Sequence, residues 1–114
     1  MASVDLFDLP AFAPEHRGGP RECADKLLSE AAEVFGEVRM YCSLHRSLSG
    51  LGGVHRECIA EEIADVMQVC RNVCEVCELS PNLMYAAQVA CVNRNSRRDG
   101  GRYEGASTRR RRPS

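Results

Sequence analysis

Two pairs of acids are the residues of this 114-residue chain whose type and spacing suggest chemistry. Glu30 and Glu33 lie in Leu27-Leu-Ser-Glu-Ala-Ala-Glu-Val-Phe35. That segment aligns without gaps to Ile59-Ala-Glu-Glu-Ile-Ala-Asp-Val-Met67, which carries Glu62 and Asp65, 32 residues further on. In both segments an apolar residue is followed at +3 and +6 by acids and at +4 and +7 by apolar groups. On a helix, residues three apart share a flank, so each segment presents an acid pair beside its apolar stripe. If the two helices fold as an antiparallel hairpin, the midpoint between the pairs falls at residues 47–48, inside a stretch rich in Ser, Gly and His. All four carboxylates then reach about the same height. Facing one another at the margin of an apolar core, they would repel and raise one another's pKa. A hard divalent cation relieves that repulsion, and Mg²⁺ takes oxygen ligands of this kind together with waters and substrate phosphates. In a chain with 16 acids, one such pair reads as a solvated helix face; two in matching registers on successive helices do not.

The elements that must position these acids are helical. From Pro20, Leu27, Ala31, Val34, Val38 and Cys42 recur at steps of three and four. Ser43 to His55 reads as a loop. A second helical pattern runs through Ile59, Ile63, Val66, Cys70, Val73 and Cys77. Ser80-Pro81 marks a third start, with Ser as N-cap and Pro at the first position, and this helix carries Leu83, Met84, Ala87 and Cys91 to about Arg98, stopping at Gly100-Gly101. No segment alternates with period two. Residues 1–20, with Pro10, Pro14, Pro20 and Gly18-Gly19, read as an irregular arm that Leu6, Phe7, Leu9 and Phe12 could dock. Residues 99–114 read as a basic, disordered tail. The expected domain, residues 21–98, is an all-α antiparallel helical bundle with three main helices per chain. A domain this small is marginal alone, so completion by oligomerisation is expected.

The net charge of −1 conceals a segregation. Residues 94–114 hold eight arginines against Asp99 and Glu104, whereas residues 1–93 hold 7 basic and 14 acidic groups. Lys26 is the only lysine, so the positive charge is almost wholly guanidinium, the group suited to gripping phosphate. No apolar run reaches the length of a membrane span. The acidic segment Met1 to Asp8 lacks the features of a signal peptide, and seven cysteines without an export signal read as reduced thiols. These features predict a cytoplasmic protein with no membrane partner. Six aromatic residues and no Trp make a poor platform for stacking single-stranded nucleic acid.

Glu30-x-x-Glu33, a 28-residue interval, then Glu62-x-x-Asp65 resembles the ExxE…ExxD signature of the MazG-like all-α nucleoside triphosphate pyrophosphohydrolases. The local wording, Ser29-Glu-Ala-Ala-Glu-Val34 and Glu61-Glu-Ile-Ala-Asp-Val66, is also similar to that family's compact members. The likeness covers roughly residues 23–98. Dimeric dUTPases, dCTP pyrophosphatases and phosphoribosyl-ATP pyrophosphohydrolases share the acid pattern, so it points to the superfamily rather than to a substrate. The resemblance implies a homodimer or homotetramer that hydrolyses a (d)NTP to the (d)NMP and pyrophosphate with Mg²⁺, or Mn²⁺ in its place, as nucleotide-pool housekeeping. It implies that Glu30, Glu33, Glu62 and Asp65 are metal ligands and that Glu33 or Glu30 also orients or deprotonates the attacking water. It further implies phosphate contacts from Arg94, Asn95, Arg97 and Arg98, where the family's lysine is replaced by Cys91.

Other features read less specifically. Cys74-x-x-Cys77 with Cys70 invites a zinc or redox reading, but Cys70 and Cys77 continue an apolar stripe and behave as small hydrophobes. His45 and His55 flank the Gly-rich loop and could contact substrate, or simply face solvent. Arg109 to Arg112 could bind nucleic acid. The rival reading of the whole chain is accordingly a non-catalytic helical module that binds nucleic acid or protein through this tail, and the enzyme reading is favoured over it.

Overall fold

The computed structural model describes residues 5–47 and 52–103, and every regular element among them is helical. A short 3₁₀ turn, Leu6–Asp8, is followed by α1 (Pro14–Arg17), α2 (Pro20–Ser47), α3 (Gly52–Val76) and α4 (Pro81–Arg97), with a second 3₁₀ turn at Arg98–Gly100. No helix among the described residues is long and apolar enough to cross a membrane. Contacts divide the chain into two compact units, Leu6–Glu78 and Leu79–Ser114, the latter joined by Met1–Asp5.

The helix starts follow local chemistry. Gly19 precedes Pro20, its carbonyl accepts the first helical bond from Cys23 N–H (3.0 Å), and its own N–H donates to Glu22 Oε1 (3.0 Å). This is the reciprocal half of a capping box, in front of a proline whose missing donor costs nothing at the first helical position. At α4, Ser80 Oγ accepts from Leu83 N–H at 3.1 Å and Pro81 opens the helix. α3 ends as Glu78 takes a positive φ of 58°, breaking the ladder before Ser80.

α2 and α3 run antiparallel, because their contacts step down one helix as they step up the other. Glu37 meets His55, Glu33 meets Glu62, and Glu30 meets Asp65. Both helices extend further than their apolar patterns indicated. α2 continues to Ser47 and α3 begins at Gly52, so most of the expected Ser43–His55 loop is helix.

The face each helix turns inward also differs from the expected stripe. On α2 the buried and half-buried positions are Cys23, Leu27, Glu30, Val34, Glu37 and Tyr41. On α3 the corresponding line is His55, Ile59, Glu62, Val66, Val69, Val73 and Val76. Both lines follow alternating steps of three and four, the 3.5-residue repeat of a helix pair that stays in contact over many turns. Ala31, Val38 and Cys42 of the expected α2 stripe, and Ile63 and Cys77 of the α3 stripe, are exposed one position away. A one-residue shift is 100° of rotation, enough to exchange Ala31 for Glu30 and Ile63 for Glu62 at the contact.

The N-terminal arm is more ordered than its prolines indicated. Its extended backbone needs partners, and three side chains of α3 supply them. Arg71 Nε donates to Leu9 O (3.0 Å), Gln68 Nε2 to Pro10 O (2.9 Å), and buried Asn72 Oδ1 accepts from Phe12 N–H (2.9 Å). The Arg71 guanidinium also lies 4.9 Å from the centre of the Phe7 ring. Polar anchoring of the backbone, rather than apolar burial of Phe12, holds the arm. The corner between α1 and α2 depends on Gly18, at φ 72° and ψ −167°, a region open essentially to glycine alone. A Cβ there would sit 2.8 Å from the Glu22 Cβ. Gly18→Ala is therefore expected to lower stability by about 1–3 kcal/mol from backbone strain, read as a drop in Tm with unchanged helix content.

Candidate metal centre

The α2–α3 seam brings the four predicted acids together. Carboxylate oxygens of Glu30, Glu62 and Asp65 all lie within 4.8 Å of one another. Glu33, exposed on the adjoining edge, shares a hydrogen bond with Glu62. That bond between two carboxyl groups needs a proton. It is the main reason the Glu62 pKa is raised, followed by burial and then by the negative charges of Glu33, Asp65 and Glu30.

Glu30 is the acid the sequence placed least accurately. It was expected on a flank, yet it is 7% exposed and occupies the seam itself. Lys26 Nζ, one turn earlier, approaches its Oε1 at 3.2 Å. Its Oε2 and the Oε2 of Glu62 are buried and have no hydrogen-bond partner. Buried carboxylate oxygens without donors are costly. These oxygen donors fit a hard divalent cation, whose adjacent ligand oxygens lie about 3 Å apart and opposite ones about 4 Å.

Two of the four acids open onto a cleft of about 460 Å³ between the arm and the far end of the hairpin. Glu30 and Asp65 line one side, while His16, Arg17 and Lys26 bring potential cations to the same cavity. The Nε of Arg17 is buried without a partner. Sequence reasoning missed His16 and Arg17 because the arm was set aside as irregular. The signal that could have found them is Arg17-Gly18-Gly19-Pro20, a basic residue held at a forced corner directly before the first long helix.

The remaining candidates are placed as follows. Arg94 and Arg97 lie in the last turn of α4 and Arg98 opens the following 3₁₀ turn, all three exposed. Asn95 is engaged locally: its Oδ1 accepts from Arg102 Nη1 (3.4 Å), its carbonyl accepts from Arg102 N–H (2.9 Å), and its Nδ2 donates to Cys91 Sγ (3.5 Å). Arg102 also grips Asp99 Oδ2 at 3.2 Å. It therefore belongs to a cap on α4 and not to a free tail. His55 lies within α3, where its Nε2 donates to the Glu37 main-chain oxygen (3.1 Å). The side chain of His45 and the run Arg109 to Arg112 lie outside the described residues.

The cysteines near the end of α3 divide differently from the expected stripe. Cys74 is buried, Cys70 half-buried and Cys77 exposed, and none joins a cluster of ligand atoms among the described residues. Burial pushes the Cys74 thiol above its ordinary pKa, against the opposing pull of Arg71. A neutral buried thiol is a poor nucleophile and a poor ligand. Native-state alkylation followed by peptide mass spectrometry is expected to label Cys42, Cys77 and Cys91 early and the buried Cys23 and Cys74 last.

No family model matches this chain, and comparison with curated proteins and with solved structures yields no match either.

Proposed function

We propose that the protein is a Mg²⁺-dependent nucleoside triphosphate pyrophosphohydrolase of the MazG-like type, with Mn²⁺ as a substitute metal. The observation that carries this reading is the convergence of Glu30, Glu33, Glu62 and Asp65 in one helix seam, with two buried oxygens lacking donors, beside a cleft bearing His16, Arg17 and Lys26. Carboxylates alone suit many cations. Carboxylates that open onto a cavity with cationic groups suit a cation together with a polyanion.

Glu30, Glu62 and Asp65 would hold the ion, which supplies charge neutralisation at the phosphates and a lowered pKa for bound water. Glu33, exposed beside them, or Glu30 would orient the attacking water and take its proton. Water oxygen bonds to the α-phosphorus, the bond from that phosphorus to the α–β bridging oxygen breaks, and pyrophosphate leaves with the electron pair. Arg17, with its free Nε, and Lys26 are the cations the cleft offers to phosphate oxygens. Phosphate contacts by Arg94, Asn95, Arg97 and Arg98 rest on the family resemblance.

The active species is proposed to be a homodimer or homotetramer in which helices from several chains complete the bundle, acting in the cytoplasm. No large side chain among the described residues is fully buried in the single chain, and Leu28, Phe35 and Ile63 remain exposed. The deciding experiment measures pyrophosphate release from a panel of NTPs and dNTPs with and without Mg²⁺. Metal-dependent turnover of at least one nucleotide is expected. Its absence across the panel, alongside salt-sensitive nucleic-acid binding lost on deletion of residues 99–114, would replace this reading with that of a binding module.

A further inference from the structure

We propose that Glu37, His55 and Cys58 form a second cation site, selective for Zn²⁺ and similar thiophilic ions, that staples α2 to α3. A carboxylate oxygen of Glu37, a ring nitrogen of His55 and the Cys58 sulfur all lie within 4.8 Å of one another. All three residues are half-buried. His55 and Cys58 are three apart on α3 and share a face; Glu37 reaches them from α2. His55 Nε2 is 3.1 Å from Glu37 Oε1 and donates to the Glu37 main-chain oxygen at 3.1 Å; to bind an ion it would give up that proton, and the hydrogen bond with it, the proton passing to Nδ1 or to solvent. Glu37 Oε1 is left buried with no hydrogen bond. An oxygen in that position, beside a nitrogen and a sulfur, has the donors of a metal site and no donor of its own.

This cluster is separate from the carboxylate centre in position and in chemistry. Glu37 follows Glu33 by four residues and Cys58 precedes Glu62 by four, so the two clusters lie about one helical turn, or about 5.4 Å, apart along the seam. The lower cluster offers only oxygen and suits Mg²⁺. The upper offers oxygen, nitrogen and sulfur, a set that Mg²⁺ avoids and Zn²⁺ or Co²⁺ accepts. Three protein donors leave one position of a tetrahedral ion for water. Because the donors come from both helices near the α2–α3 connection, binding ties them where the single chain has little apolar core.

The test is a Co²⁺ titration of the full-length, metal-free protein in excess Mg²⁺. One equivalent is expected to produce a thiolate-to-cobalt charge-transfer band and the visible bands of a four-coordinate ion, both bleached by one equivalent of Zn²⁺. Zn²⁺ is also expected to raise Tm. Cys58→Ser should remove the charge-transfer band, and His55→Gln and Glu37→Gln should each weaken Co²⁺ binding at least tenfold, by the loss of one donor in three. Glu62→Gln and Asp65→Asn should leave the band intact. Circular dichroism reports whether each variant is folded, and the wild-type titration stands by itself if one is not. Absence of the band in the wild type, its survival in Cys58→Ser, or its loss in Glu62→Gln would overturn the proposal. A nucleotide panel without turnover would leave it standing, since it does not depend on the pyrophosphohydrolase reading.

Discussion

Glu62→Gln is expected to abolish the proposed Mg²⁺-dependent pyrophosphate release while raising the Tm of the metal-free protein at neutral pH. Both effects follow from the same geometry. Glu62 shares a hydrogen bond with Glu33 and faces the charges of Glu30 and Asp65, which hold its pKa above the ordinary value of 4.5. A group whose folded pKa is raised contributes stability below its unfolded pKa and loses it as pH rises through the folded value. The metal-free wild type should therefore lose stability as pH climbs from about 4.5 towards neutrality. Glutamine reproduces the protonated form: it is neutral, isosteric, and can donate to Glu33 at any pH. The Tm difference between variant and wild type should accordingly be small in acid, grow towards neutral pH, and shrink when saturating Mg²⁺ relieves the repulsion in the wild type.

Turnover should fall by at least about two orders of magnitude, as it does when one preorganised charge contact to a reacting phosphate or its metal is lost. A stopped pyrophosphate assay and thermal melts across pH, with and without Mg²⁺, read both halves. A lower metal-free Tm at neutral pH would make Glu62 a structural partner in the seam, and the proposed metal site would be given up with it.

Phe35→Asp is expected to convert the proposed oligomer into monomers with a markedly lower Tm. Phe35 is 65% exposed and Leu28, one heptad earlier on the same face, is 75% exposed. The Arg39 guanidinium, 5.6 Å from the Phe35 ring centre, covers only part of it. In the proposed oligomer these two side chains would lie in the interface. Burying a phenylalanine gives about 1.5–3 kcal/mol, and a two-fold interface counts each contact twice, so about 3–6 kcal/mol depends on this position. The seam within one chain holds Glu30, Glu37, Glu62 and His55 among its aliphatic residues, which leaves little reserve to absorb that loss. Sedimentation velocity over a concentration series, with parallel melts, should show a shift to monomer in the variant. A wild type already monomeric at tens of micromolar, with Phe35→Asp unchanged in Tm, would remove the oligomeric part of the proposal.

The carboxylate centre was legible in the sequence to an unusual degree, because an acid pair at fixed spacing on a helix is a local property and the hairpin needs only one turn to oppose two of them. The opening of α2 at Pro20 and the Ser80-Pro81 start were legible for the same reason, since caps are satisfied by neighbours in the chain. Less of the arm was legible. Its anchors Gln68, Arg71 and Asn72 lie about 60 residues away from the carbonyls and amide they bind, and no periodicity announces a polar side chain that reaches backbone. The cationic lining from His16 and Arg17 went unseen with it. The Glu37, His55 and Cys58 cluster also has no sequence signature, because it joins residues of two helices across their connection.

By itself, then, the sequence determined the helices, the spacing of the acids along them, and the register in which a hairpin would set them opposite one another. Only the tertiary structure decided which of two adjacent lines on each helix faces the other. Apolar residues mark a stripe about 100° or more wide, and two lines one residue apart both fit within it. Both lines keep steps of three and four, so the repeat alone does not choose between them; the packing of α2 on α3 does. That packing takes Glu30 and Glu62 inward and leaves Phe35 and Ile63 outside, on the surface that the proposed oligomer would cover.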